Sequence, residues 1–294
     1  LGGLLSIESA VVLEFPPVWT EPVRNRLEAV INEWSQSELL KEAQLQPIKT
    51  VLMHGPPGVG KSLAAKWLAH SLSLPLATLN LSAVINSYLG RTGQNISQVL
   101  DYAKRNACVL FLDEFDALAK RRDDNQDVGE LKRVVNVLLQ AVDQWDAPSL
   151  LVAATNHPQL LDAAMFRRFD QVVEFPPVTA SQATQSLEVL GVNAELARKL
   201  GREMPGYPLS EVYRRVQVAR KQAILQQRNF EDMLPQVWAM ERQANNEVDR
   251  RRQAVAMMHS DGKTARSIAK ELNVSHPTVL RDLAYLQKED SNAD

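Results

Sequence analysis

The sequence is poor in cysteine and in long apolar runs, and each shortage excludes a class of protein. Cys108 is the only cysteine of the 294 residues, so no disulfide framework can form within one chain. We expect it to be a buried core thiol in a reducing, cytoplasmic setting. No apolar run approaches the ~18 residues of a membrane span, so we expect no membrane partner. The chain begins with Leu1 and not Met, which is typical of a fragment that lacks an upstream segment.

A strong charge of either sign is also missing. The formal net charge is −2, which gives no overall attraction to nucleic acid or to acidic membranes, so any such contact must come from a local patch. The hydrophobic content of 45% is ordinary for a globular protein. The length allows one large domain with one or two small ones.

The stretch VLMHGPPGVGKSL, residues 51–63, is what the rest of the chain is arranged around. An apolar strand runs into a glycine-rich loop and then a helix, as a phosphate-binding loop requires. A chance glycine turn would match every fixed position of G-x-x-x-x-G-K-[ST] in only about one chain in a hundred of this length. Lys61 would reach the outer phosphates and Ser62 would bind Mg²⁺. The predicted nucleotide-binding residues are Gly55, Pro56, Pro57, Gly58, Val59, Gly60, Lys61, Ser62, Leu63 and Asp113.

An acidic pair follows the apolar run CVLFL, residues 108–112. A buried parallel strand ends in this way where its carboxyl end meets a ligand. Asp113 would then hold the Mg²⁺ shell, and Glu114 would polarise the attacking water. An acidic pair after a strand is alternatively a helix N-cap, a role that suits the nearby Asp116.

The alternation of strands and helices predicts an α/β fold with a parallel five-stranded P-loop sheet flanked by helices. Asn156 ends the strand at residues 150–155, at the same sheet edge as the carboxylates. After residue 177 the pattern is helical throughout. We therefore predict an extended N-terminal linker (1–20) that either covers a nucleotide base or simply packs, a large α/β domain (21–178), an all-helical lid (179–242) and a tail (243–294) with a trihelical, helix-turn-helix-like segment.

The motifs GPPGVGKS, FLDEFDAL, AATNHPQLLD and FRRFD together resemble the AAA ATPase family over about residues 20–235. The resemblance implies ATP hydrolysis with Mg²⁺, and Asn156 would sense the terminal phosphate. Arg167 and Arg168 match the arginine fingers that complete a neighbouring subunit's site, although an isolated arginine pair is more often a solvated surface pair. Fingers in trans imply a ring homo-oligomer, typically a hexamer. The guanine-specific motif N-K-x-D is absent, which favours ATP over GTP.

The same resemblance points to a polypeptide substrate. Tyr88 and Leu89, in SYLG, look like a pore loop that grips a translocating polypeptide; otherwise Tyr88 is an ordinary half-buried tyrosine. Many relatives carry a phosphate-contacting arginine where Ser210 stands, so we expect no such contact there, although Arg214 and Arg215 are close. The run DVGELKRVVNVLLQ with SLLVAATNHPQLLDAAMFRRFD is similar to bacterial AAA proteins encoded beside subtilisin-like serine proteases. A protease partner is therefore one hypothesis.

Residues 250–288 resemble the helix-turn-helix DNA-binding domains of resolvases and transcription regulators, through TARSIAKEL, a turn at 273–275 and PTVLRDLAY. This region carries eight basic and three acidic side chains. The candidate DNA contacts are Arg266, His276, Thr278 and Arg281. Few basic residues lie on the recognition helix itself, so a protein-interaction module with the same core stays open.

Three functions are consistent with these patterns. The first is an ATP-driven motor that remodels or threads a protein substrate. The second is a DNA-directed helper ATPase that uses the helix-turn-helix. The third is a nucleotide-gated scaffold that does not turn ATP over.

Overall fold

The computed structural model describes residues 5–81, 92–117, 128–204, 206–260, 263–272 and 274–290. They belong to two compact units, Leu1–Val216 and Gln217–Asp294. The predicted pore-loop residues Tyr88 and Leu89 lie outside the described residues. The four predicted segments divide the chain more finely than the two units do, and their boundaries stay a prediction.

The first unit is built on a mostly parallel sheet of six strands in the order β1-β3-β4-β5-β2-β6. The five strands predicted from the sequence are present and parallel to one another. The sixth, β1, was not predicted, and it pairs antiparallel with β3 so that Ile7 lies opposite Ala77. The strands are β1 Ser6–Glu8, β2 Thr50–His54, β3 Leu76–Asn80, β4 Val109–Asp113, β5 Leu150–Thr155 and β6 Gln171–Glu174.

Helices cover the sheet, which is why its central strands read as continuous apolar runs. All six residues of β5 are buried, and Cys108 is buried as expected, with 1% of its surface exposed. Burial raises the pKa of the Cys108 thiol to about 11, so it stays protonated near neutral pH. The helices before and around the sheet are α1 Glu21–Ser35, α2 Ser37–Glu42, α3 Lys61–Ser71, α4 Thr92–Arg105, α5 Val128–Asp143 and α6 Ala163–Phe166.

Three further helices follow the last strand: α7 Ala180–Val189, α8 Ala194–Arg202 and α9 Leu209–Gln226. Capping residues set where the first two begin. Thr179 and Gln182 form a reciprocal capping box at the start of α7, and the Asn193 side chain accepts a bond from the Leu196 N–H at the start of α8. The predicted helical character of this region is confirmed.

The second unit contains α10 Phe230–Ser260, α11 Ala265–Glu271 and α12 His276–Asp290. Val255 of α10, Ile268 and Ala269 of α11, and Val279 of α12 form a small buried cluster. The assignment of this segment as a helix-turn-helix stays a prediction. None of the helices among the described residues is long and apolar enough to cross a membrane.

Candidate functional site

A cavity of about 580 Å³ in the first unit gathers most of the predicted site residues. Its polar part is lined by Lys61, Ser62, Asp113, Glu114 and Asn156. These side chains meet because β2, β4 and β5 are parallel neighbours whose carboxyl ends share one sheet edge. The volume is in the range of small-molecule sites. The other predicted loop residues in the wall are Pro57, Gly58, Gly60 and Leu63.

The phosphate loop has a backbone that only glycine adopts without strain. Gly55 has φ 145°, and a Cβ there would lie 2.1 Å from the carbonyl oxygen of Phe175. Gly58 has φ 74°, and its Cβ would lie 2.4 Å from Pro208 Cβ. The loop therefore depends on these glycines for its path and for its close contact with the start of α9.

Lys61 opens α3 and is almost fully buried, with 7% of its surface exposed. Its ammonium donates to the carbonyl oxygens of Gly55 at 2.6 Å and Pro56 at 2.8 Å, so the loop curls around it. Burial lowers the pKa of Lys61 to about 8, and the carboxylates of Asp113 and Asp116 partly offset that effect. A cation held in this way is prepared for an anionic ligand.

The acidic pair lies where β4 ends. Burial raises the pKa of Asp113 above its ordinary value, although the Glu114 N–H donates to its Oδ1 at 2.9 Å. Glu114 has φ 55°, a left-handed conformation that costs an L-residue roughly 1–2 kcal/mol. Strain of this kind collects at functional sites. The chain is held in this turn because Phe115 N–H donates to the Ala154 carbonyl at 2.9 Å.

Hydrogen bonds on both sides fix the backbone around Asn156. The Thr155 hydroxyl donates to Asp116 Oδ1 at 2.9 Å, and the His157 N–H donates to that hydroxyl at 3.0 Å. Asp116 is 4% exposed. Asp116 is thus a buried carboxylate that anchors the end of β5 beside Asn156. Its suggested N-cap role concerns a segment that extends outside the described residues, and it stays a prediction.

The sequence left open whether the N-terminal segment covers a nucleotide base or simply packs, and it gave no sign of the rest of the apolar wall of the cavity. Residues 12–18 of the N-terminal segment line it, together with Val189, Leu190 and Leu209. Tyr213 of α9 holds this segment, because its hydroxyl donates to Glu14 Oε2 at 2.6 Å and its ring lies edge-on to Phe15. The prolines at 16 and 17 were the one sequence signal for this wall.

Ser210 lies in the cavity wall, whereas the two nearby arginines are bound elsewhere. Arg214 donates twice to Glu211, at 2.9 and 2.7 Å. Arg215 is buried, donates to Glu211 Oε1 at 2.9 Å, and lies over the Tyr207 ring. These bonds, that of Arg214 first, lower the pKa of Glu211 to about 2. The expectation that no arginine takes the place of Ser210 stays consistent with this geometry.

Neither Arg167 nor Arg168 is among the residues that line the cavity. Arg167 is exposed at the end of α6, and among the described residues no ion pair holds it. Arg168 forms an ion pair with Asp143. The structure therefore separates the arginine pair from the polar part of the site within one chain.

The candidate DNA contacts all lie on the second unit. Arg266 and Arg281 are exposed, and His276 and Thr278 are half-buried. The Thr278 hydroxyl is hydrogen-bonded to that of Ser275 at 2.8 Å, a local contact at the start of α12 that the sequence did not predict.

A family model for the "ATPase family associated with various cellular activities (AAA)" matches residues 51–177. An uncharacterised AAA family ATPase, y4kL, of Sinorhizobium fredii is 38% identical over 202 residues, which cover 68% of this chain and 61% of that protein. A proteasome-activating nucleotidase of Pyrococcus abyssi is 35% identical over 156 residues, or 51% of this chain and 39% of that protein. The chain thus spans less than two thirds of the length of these relatives.

The crystal structure of the FIGL-1 AAA domain has the same fold. Its TM-score to this chain is 0.62, with 20% sequence identity and 77% of each chain covered. The family model, the relatives and this fold agree with the motifs at Lys61, Asp113 and Asn156. The chain therefore belongs to the AAA ATPase family.

Proposed function

We propose that the protein binds ATP with Mg²⁺ in this cavity, hydrolyses it in a ring of identical chains, and uses the cycle to remodel or thread a polypeptide. The hydrolytic part rests chiefly on one observation. Lys61 and Ser62, Asp113 and Glu114, and Asn156 come from three separate stretches of sequence, and all of them line one cavity. Such a convergence of a phosphate loop with acidic and amide side chains suits phosphoryl transfer.

Ser62 and Asp113 are the residues that would hold Mg²⁺. Both line the cavity, and no set of three or more His, Cys, Asp or Glu in the described part of the chain could hold a metal ion alone. This suits Mg²⁺, which takes one or two protein oxygens, keeps several waters and completes its shell with substrate phosphates. When bound, the ion neutralises charge on the phosphate oxygens.

The chain's own residues divide the chemistry of the γ-phosphoryl group. Lys61 exchanges its two carbonyl acceptors for the outer phosphates of ATP. The largely desolvated ammonium then donates charge-assisted hydrogen bonds to an anion. Glu114 polarises the attacking water, and Asn156 orients that water against the phosphate. Asp116 acts indirectly, because it keeps the end of β5 in place.

The site is completed by another copy of the chain. Arg167 is exposed and lies outside the cavity wall of its own chain, so its charge can reach a transition state only in a neighbour. A head-to-tail contact of this kind closes into a ring, for which a hexamer is our expectation. Arg168 is the second finger candidate, although it must first leave Asp143.

The test is ATP turnover per chain, measured over a wide range of protein concentration with and without Mg²⁺. We expect turnover per chain to rise with concentration as chains assemble, and to disappear when Mg²⁺ is chelated. Sedimentation under the same conditions serves as the control for assembly. Full turnover by a preparation that sediments as a monomer would contradict the shared site.

The polypeptide substrate is supported by two features. One relative is named a proteasome-activating nucleotidase, and the sequence at Tyr88 and Leu89 resembles a pore loop. We include a subtilisin-like protease as a partner of this motor, on the sequence similarity alone. The bulk of a tyrosine ring would grip an extended chain by packing against its side chains.

Tyr88 gives this part of the proposal its own test. An unfolded protein such as casein should raise ATP turnover by the wild-type chain, because engaged substrate is drawn through the ring. In Tyr88→Ala we expect the ratio of stimulated to basal turnover to fall to about 1, while Tyr88→Phe, which keeps the ring, retains the wild-type ratio. Equal ratios in all three proteins would remove the pore-loop role and leave the ATPase proposal intact.

A further inference from the structure

The C-terminal helices of the second unit form a compact core. Val255, Ile268 and Val279 are fully buried, one from each helix. The Thr264 side chain caps α11 by accepting a bond from the Ser267 N–H. At its other end the Val274 N–H donates to the Ala269 carbonyl at 3.0 Å. Two helices joined by so short a turn are the framework with which helix-turn-helix proteins present their second helix.

An ion pair with a buried carboxylate fixes the rotation of α12. Asp282, 3% exposed, accepts bonds from Arg251 Nε at 2.7 Å and Nη2 at 3.3 Å. Arg252 lies with its guanidinium 3.6 Å from the centroid of the Tyr285 ring. Two arginines of α10 are thus used inside the fold, where they hold α12 rather than a ligand. The count of eight basic side chains therefore overstates what the tail offers to a partner.

Because Val279 and Asp282 point inward, the opposite face of α12 is defined. Among the described side chains of α12, those exposed on this face are Pro277, Leu280, Arg281 and Ala284, at the spacing of one helical stripe, and the exposed Tyr285 lies to one side of it. This stripe carries no carboxylate.

The neighbouring α11 carries exposed cationic side chains, and its carboxylate is already in an ion pair. Arg266 and Lys270 are exposed, and among the described residues no ion pair holds them. The one carboxylate of α11, on Glu271, is paired with Lys263 at 2.7 Å. Among the described side chains of the two helices, the positive charge outside ion pairs therefore comes from Arg266, Lys270 and Arg281.

We propose that this segment binds duplex DNA, with the exposed stripe of α12 in the major groove and the cations of α11 on the phosphates. The small residues Pro277 and Ala284 let the helix approach base edges closely, and Arg281 can donate to them. A helix that docked in a protein groove would need apolar anchors at successive turns. The large exposed apolar side chains of α12 are Leu280, 48% exposed, and Tyr285, 41% exposed. They are five positions apart, which places them on different sides of the helix and not at successive turns of one stripe.

Fluorescence polarisation with a labelled random-sequence DNA duplex of about 30 base pairs tests the proposal on the full chain. Two phosphate contacts, from Arg266 and Lys270, predict a slope of about −1.8 in a plot of log affinity against log salt concentration. Affinity should then fall about 12-fold between about 50 and 200 mM salt. Duplex RNA of the same sequence should compete poorly, since its deep, narrow major groove does not admit a helix.

The variant Arg266→Ala with Arg281→Ala should weaken binding and reduce the salt slope by about 0.9, because Arg266 is the one of the two that is assigned to a phosphate. The matched control, Lys199→Ala with Arg202→Ala, removes the same charge from the exposed side of α8 in the first unit and should bind like the wild type. Circular dichroism melts show whether each variant is folded. The proposal is overturned if the folded wild-type chain ignores DNA at low salt, if both double variants lose affinity equally, or if duplex RNA competes as well as DNA.

Discussion

Replacing Glu114 by Gln is expected to lower kcat for ATP hydrolysis by about 10²- to 10⁴-fold, the range that a general base contributes. The amide keeps the size of the side chain and still fits beside Asp113 and Asn156 in the cavity wall. It cannot accept a proton from the attacking water. Nucleotide affinity should stay close to that of the wild type, because Lys61 and the loop backbone are untouched.

Single-turnover hydrolysis and titration with a fluorescent ATP analogue measure the two effects separately. The matched control is Glu188→Gln, an exposed carboxylate on α7 that does not line the cavity, and it should hydrolyse ATP normally. Wild-type turnover by Glu114→Gln would exclude Glu114 from the chemistry. A wild-type chain that assembles and binds ATP yet shows no turnover would instead support the nucleotide-gated scaffold.

The parts of the site that could be predicted from the sequence are those whose geometry is local. A strand, a glycine turn and a helix fix the position of Lys61 within thirteen residues, and the apolar runs before Asp113 and Asn156 fix both at strand ends. Since parallel strands end at a common edge, their meeting in one cavity followed from the strand assignment alone.

Contacts between distant parts of the chain could not be predicted. β1 is three residues long, too short to show any alternation, and it exists because β3 offers a free edge. The apolar wall depends on Tyr213 reaching back to Glu14 across 199 positions. The left-handed turn at Glu114 is enforced by β5 through the Ala154 carbonyl. The spacing of residues along the sequence indicates none of these three contacts.

Contacts on both sides of the arginine pair fix its position relative to the nucleotide site of its own chain. Phe166, just before the pair, lies edge-on to His54 at the end of β2, with 5.6 Å between ring centroids. Phe169, just after it, lies edge-on to Phe115 at 5.9 Å. Asp170 accepts bonds from the N–H groups of residues 49 and 50, each at 2.9 Å. The pair is thus clamped between the phosphate loop and the acidic strand of its own chain.

These contacts tie the arginine pair to the nucleotide site of its own chain, while under the proposal the arginines act on that of a neighbour. Burial lowers the pKa of His54, so its ring is largely neutral near pH 7 and packs on Phe166 without a charge. One aromatic contact therefore joins the end of β2, just before the phosphate loop, to the residue that precedes Arg167.

Replacing Arg167 by Ala is expected to lower kcat by about 10³- to 10⁵-fold, the contribution of an arginine finger to phosphoryl transfer. Binding of ATP should be unchanged, because Arg167 does not line the cavity of its own chain. The matched control is Arg198→Ala, which removes an exposed arginine from α8 and should leave turnover at the wild-type rate. Sedimentation establishes that each variant still assembles.

Mixing two inactive variants distinguishes an arginine finger that acts on a neighbouring chain's site from a residue that acts in the site of its own chain. Arg167→Ala keeps an intact Glu114, and Glu114→Gln keeps an intact Arg167, so an interface between them can hold one complete site. In an equal mixture of freely exchanging chains about a quarter of the interfaces have this arrangement, because a head-to-tail contact draws its two halves independently. ATP turnover should therefore reappear on mixing, in proportion to that fraction. A mixture that exchanges subunits and stays inactive would place Arg167 and Glu114 in the same chain's site and end the argument for a shared one.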